Sequence, residues 1–115
     1  MTMRKLLGIL LLAVWMPAFA FNLSFLEYTP TYYFVKSDWT LMLATITKSL
    51  DHGKPGIKYR WKNPDSTAFG YVMPLATSKV GGNECRHATI FNSAKTVTGQ
   101  ATYRFCKIDG DWKVS

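Results

Sequence analysis

Residues 59–74 read YRWKNPDSTAFGYVMP, and the period of this stretch decides the fold class. Ile57, Tyr59 and Trp61 alternate with Lys58, Arg60 and Lys62, and Phe69, Tyr71 and Met73 follow at the same spacing. A period of two is that of a strand with one buried face. Asn63-Pro64-Asp65-Ser66 lies between the two runs. It has turn chemistry, because proline presets the second position and Asn and Asp side chains bond back to the main chain. The stretch therefore reads as a hairpin. Its apolar inner face is Ile57, Tyr59, Trp61, Phe69, Tyr71 and Met73, its outer face is cationic, and Pro74 ends its second strand. Gly70 marks either a bulge or a place where a large side chain crosses over the strand.

Downstream, Gly81-Gly82 supplies a turn into a second hairpin. Setting Cys85 opposite Cys106 places His87 opposite Arg104, Ala88 opposite Tyr103 and Ile90 opposite Ala101, with residues 92–99 as the connecting loop. Facing residues on antiparallel strands lie about 4.5–5.5 Å apart at Cα, within disulfide range. One face then holds Cys85, His87, Arg104 and Cys106. The other, with Ala88, Ile90, Ala101, Tyr103 and Phe105, is the natural core face, and Arg86 lies near its end. Asp109-Gly110 is a tight turn, and Trp112 and Val114 form a short last strand.

Upstream, Trp39, Met42, Leu43, Ile46 and Leu50 form one stripe of an amphipathic helix. Ser37 or Asp38 can cap its start, Gly53 is placed for a left-handed cap at its end, and Pro55 stops it. Its polar face is too poor in Lys and Arg for a membrane-surface helix. Neither hairpin is stable alone, so helix and hairpins require one another. The expected fold is α+β: one amphipathic helix packed on a curled antiparallel sheet of about four strands, with one cross-strand disulfide.

The chain opens with Arg4 and Lys5, an apolar run over residues 6–16, and Ala18-Phe19-Ala20. That order is a secretory signal peptide over residues 1–20, too short to span a bilayer and without a cysteine for lipid attachment. No transmembrane span is expected in the mature chain. Residues 21–36, rich in aromatics, read as an extended arm or a weak first strand around residues 32–35. An arm this apolar is expected to lie against the domain or a partner. Residues 37–115 form the domain. The roughly 95 residues left after cleavage make one small domain whose stability is marginal without help. Its two cysteines, Cys85 and Cys106, suggest one disulfide in an exported protein. The mature net charge of about +5 favours anionic partners such as phosphates, lipid headgroups or acidic glycans.

Catalytic motifs are weak. His52 and His87 could serve as base and acid of a small secreted hydrolase or nuclease, but nothing fixes their distance and His52 suits a helix C-terminus. Cys85 and His87 have no carboxylate cluster to complete a metal site, so no metal or other cofactor is expected. Phosphate loops and nucleophile elbows are absent. The best candidate surface is the cationic face of Lys58, Arg60 and Lys62, with Arg104 or Lys107 on a neighbouring strand.

Taken together, a helix ending SLDHG, then YRWKNPDSTAFGYVMP, a glycine followed by CR, a second cysteine and DGDWKV resemble a known pattern. It is similar to the C-terminal domain of the rickettsial seventeen-kilodalton surface antigen family of Gram-negative cell envelopes. Trp61, Asn63, Pro64, Gly70, Val72, Pro74, Cys85, Arg86, Cys106, Asp109, Gly110 and Trp112 carry the resemblance, and Lys107 stands where the pattern has arginine. The lipid-bearing cysteine and glycine zipper of the full-length antigens have no counterpart here. The resemblance implies an exported, non-enzymatic protein of the periplasm, outer membrane or cell surface. It would bind an envelope protein or an anionic envelope polymer or lipid; nucleic acid is not expected. Trp61, Asn63, Pro64, Gly70, Pro74, Arg86, Gly110 and Trp112 are expected to be structural.

Overall fold

A computed structural model describes residues 30–115, so the signal peptide and most of the 21–36 arm lie outside the described residues. A 3-10 turn over Pro30–Tyr33 leads into helix α1, Lys36–His52. Five strands follow: β1 (Tyr59–Lys62), β2 (Phe69–Val80), β3 (Asn83–Ala94), β4 (Val97–Ile108) and β5 (Asp111–Val114). They form one antiparallel sheet in the order β1-β2-β3-β4-β5, a meander curled into a half-barrel around α1. The α+β expectation holds, with five strands rather than about four. Residues 32–35 are not a strand. Phe34 N–H donates to Thr31 O, and the chain turns directly into the helix.

Helix α1 buries Met42, Ile46 and Leu50, each at most 1 % exposed, against Val72, Ala88, Ile90 and Phe105 of the sheet. Trp61 and Trp112 close the two sides of this core. Asp38 acts one turn later than an N-cap does: its Oδ2 accepts from Val35 N–H at 2.9 Å, while Val35 is the capping position. At the other end Gly53 is extended (φ −75°, ψ 146°), not left-handed. Glycine is needed there for space, because a Cβ would meet Tyr59 Cε2 and Pro74 Cγ, both at 2.9 Å.

The β3–β4 register follows the sequence expectation: Cys85 faces Cys106, His87 faces Arg104, Ala88 faces Tyr103 and Ile90 faces Ala101. The disulfide is formed, with Cα atoms 4.0 Å apart. The loop expected over residues 92–99 is instead more ladder, running to Ala94 opposite Val97. The turn is only Lys95-Thr96, both at positive φ (49° and 65°). Gly81-Gly82 and Asp109-Gly110 make the same kind of turn, also with both φ values positive. Such turns match the twist of the strands they join. Lys-Thr carries no such signal, and a β-branched residue there is strained. Replacing Cys85 and Cys106 by alanine should cost about 3 kcal/mol of stability. Urea unfolding would read this, and an unchanged midpoint would contradict it.

Two further expectations are corrected in β2. The strand does not end at Pro74 but continues to Val80 through a register shift between Pro74 and Thr77. Proline is accommodated there because β1 pairs only with residues 69–72, so no ladder partner waits for its missing N–H. The buried face of β2 is Gly70, Val72 and Pro74, while Phe69, Tyr71 and Met73 point outward. Helix α1 packs directly over this strand, and small side chains let it approach. Gly70 faces Trp61, and the indole Nε1 lies 2.8 Å from where a Cβ would sit, so a large side chain does cross over this glycine.

Candidate functional site

The outer face of the sheet is built by alternation. Lys58, Arg60 and Lys62 share it with Phe69, Tyr71 and Phe91, because Arg60 faces Tyr71 and Tyr71 faces Phe91. Tyr71 and Phe91 stack at 5.3 Å between centroids, and Phe69 lies 6.2 Å from Phe91. Lys58 Nζ sits 4.6 Å above the Tyr71 ring and the Arg60 guanidinium 5.8 Å from it. Tyr71 also donates to Gln100 Oε1 at 2.9 Å. The aromatic faces are thus occupied by one another and by the cations, which keeps the cationic heads at the sheet surface. Sequence reasoning placed Phe69 and Tyr71 inside because aromatics at period two are usually core. The smallness of Gly70 and Val72 was the available signal for the opposite parity.

Arg104 shares the outer face but not the cluster. It lies on β4, three strands away from β1, or about 14 Å across the sheet. It donates to Ser115 Oγ at 3.0 Å and faces His87. Lys113, opposite Cys106, continues the same face. Among the described residues the outward positions of the strands carry these cations against one carboxylate, Asp111. Asp38 and Asp51 are engaged on the helix side, Glu84 points to the opposite face from Cys85, and Asp65 and Asp109 sit in turns. The outer face therefore has a positive field that its own carboxylates do not cancel.

The motif residues turn inward or into turns. Asn63 Nδ2 donates to Asp38 Oδ1 at 2.7 Å and to Ser37 Oγ at 2.8 Å, while its Oδ1 accepts from Asp65 N–H at 3.0 Å. Ser66 Oγ donates to the same Asp38 oxygen at 2.7 Å. The Asn63-Pro64-Asp65-Ser66 turn is thereby tied to the start of α1. Burial pushes the Asp38 carboxyl up, but its bonds to Val35 N–H, Ser66 and Asn63 outweigh this and hold it below the usual carboxylate range. A depressed folded pKa adds stability above the unfolded value of about 3.9, lost as pH falls through the folded value. Asp38→Asn should therefore flatten the acid limb of stability below about pH 4, read by urea unfolding at stepped pH. An acid limb as steep as in the parent would assign it to other groups.

At the far end Trp112 Nε1 donates to Asp51 Oδ1 at 2.7 Å, and Lys107 Nζ reaches the same oxygen at 3.3 Å. The Trp112 bond, followed by Lys107, holds the Asp51 carboxyl below its ordinary range against the opposing effect of burial. Lys107 and Trp112 thus tie the last hairpin to the end of α1. Arg86 is 4 % exposed and donates through Nη1 to Leu50 O (2.9 Å) and Ser49 O (3.3 Å) and through Nε to Leu75 O (3.0 Å). Gly110 supplies the positive φ of the last turn.

His52 ends α1, which packs in the concave side of the sheet, whereas His87 projects from the outer face of β3. The two imidazoles do not converge on one site. A shallow groove between α1 and β1, lined by Lys48, His52, Tyr59 and Arg60 among others, holds no carboxylate. Among the described residues no three His, Cys, Asp or Glu side chains gather to hold a metal ion. Nor is any helix among them long and apolar enough to cross a membrane. No family model, curated protein or solved structure matches the chain.

Proposed function

We propose that this is an exported, non-enzymatic protein of a Gram-negative cell envelope, similar to the surface antigens, that binds an anionic envelope component through the outer face of its sheet. The observation that carries the reading is the sign of that face: Lys58, Arg60 and Lys62 line one edge, and the neighbouring strands β2 and β3 set no outward carboxylate beside them. The disulfide and the signal-peptide pattern support an oxidising, extracytoplasmic setting. The residues that carry the resemblance stabilise the scaffold, which leaves the outer face to the ligand.

The test is binding of the purified protein to a sulfated polysaccharide and, separately, to vesicles containing anionic lipid. Replacing Lys58, Arg60 and Lys62 by glutamine should weaken binding at least about tenfold and make it less sensitive to salt, because each cation releases counterions when it pairs. Circular dichroism should not change, since all three side chains are exposed. Equal binding by parent and variant in both arms would refute the reading.

A further inference from the structure

Among the described residues the sheet is open, and four stretches of strand edge have no strand beyond them: the outer sides of β1 and β5, β2 past its pairing with β1, and β4 before its pairing with β5. Proteins blunt such edges with charge, proline, bulges or brevity. β1 and β5 are four residues each and carry Arg60, Lys62, Asp111 and Lys113. The open part of β2 has Pro74, the register shift after it, and Lys79. The open part of β4, residues 97–103, reads VTGQATY and has none of these devices. Its register with β3 is unbroken. Ser115 N–H donates to Arg104 O, so the main-chain groups of Arg104 point toward the β5 side. By alternation, those of Thr98, Gln100 and Thr102 point the same way, along an exposed edge.

We propose that this edge pairs with the same edge of a second copy, antiparallel and centred on Gln100. The open window is bounded by the Lys95-Thr96 turn at one end and by Ser115 at the other, and Gln100 is its midpoint. A two-fold axis there sets Gln100 against Gln100, Thr98 against Thr102, Gly99 against Ala101 and Val97 against Tyr103. Small residues meet small ones, hydroxyls meet hydroxyls, and the apolar ends meet each other. The outward groups of Thr98, Gln100 and Thr102 would exchange about six main-chain hydrogen bonds. Charge favours a like partner here, since two basic chains approach with least repulsion along an uncharged edge. The two sheets would become continuous, with both cationic outer faces on one surface.

The purified protein is expected to sediment as a dimer, and Thr98→Lys, on an exposed side chain, to weaken dimerisation at least about tenfold without changing circular dichroism. Gln100→Cys should crosslink to itself on mild oxidation, since facing Cα atoms in a hydrogen-bonded antiparallel pair lie about 5.5 Å apart. Lys48→Cys, on the exposed face of α1, should not. A chain that sediments as a monomer at its highest soluble concentration overturns the proposal. So does a dimer that Thr98→Lys leaves intact. If Gln100→Cys, which removes the partner of the Tyr71 hydroxyl, does not fold, the Thr98→Lys comparison decides.

Discussion

Gly70→Ala should lower stability by about 4 kcal/mol, one of the largest effects of any single substitution in this domain. The added methyl would collide with the main-chain oxygen of Phe91 and come within 2.8 Å of Trp61 Nε1 and 2.9 Å of Asn92 Oδ1. The first contact is backbone, so relief requires β2 and β3 to move apart, which strains the ladder between Phe69–Val80 and Asn83–Ala94. The second would push the Trp61 indole off the position where it packs edge-on against Phe34. Thermal unfolding should shift down by on the order of 20 °C in a domain of this size. Trp61 is 5 % exposed, so its displacement should also shift tryptophan emission to the red. A variant that melts within a few degrees of the parent would show that the strand yields easily at this point.

Arg86→Met should cost a similar amount, about 4 kcal/mol, for a different reason. The guanidinium is the shared donor for Ser49 O and Leu50 O at the end of α1 and for Leu75 O beside the register shift of β2. Methionine fills most of the volume but removes the guanidinium from Leu50 O and Leu75 O, while Ser49 O keeps the Gly53 N–H. The positive charge also lies at the negative end of the helix dipole, and that term is lost as well. Arg86→Lys should recover only part of the loss, because an ammonium has no planar fork to span helix and strand together. Equal stability of the Met and Lys variants would mean that the charge and its geometry contribute nothing.

Much of this scaffold was legible in the chain. The helix stripe, the glycine-containing turns and the Cys85–Cys106 register each have a local signature that the tertiary structure does not override. The misplaced parts depend on nonlocal partners. Phe69 and Tyr71 alternate as a core face would, and only the packing of α1 over Gly70 and Val72 sends them outward. Pro74 looks like a stop unless one knows that β1 has already ended beside it. The Lys95-Thr96 turn violates its own residue preferences, and the long ladders on either side impose it. For the candidate site, the cations of β1 were visible as an alternating face. Their aromatic companions and the separation of Arg104 from them follow from strand order, which the spacing of residues does not encode.

The meander also has a kinetic consequence. Every strand bonds to the one made just before it, and three of the four connections are turns of two residues. Closing such short loops costs little chain entropy, so the sheet can zip in sequence order without a long-range search. Cys85 and Cys106 are 21 residues apart in the chain, yet the β3–β4 hairpin brings them together as it forms. With no third cysteine in the chain, no intramolecular mispairing is available. Oxidation can therefore follow folding instead of guiding it, and the protein should reach its native bond with an oxidant alone and no disulfide isomerase.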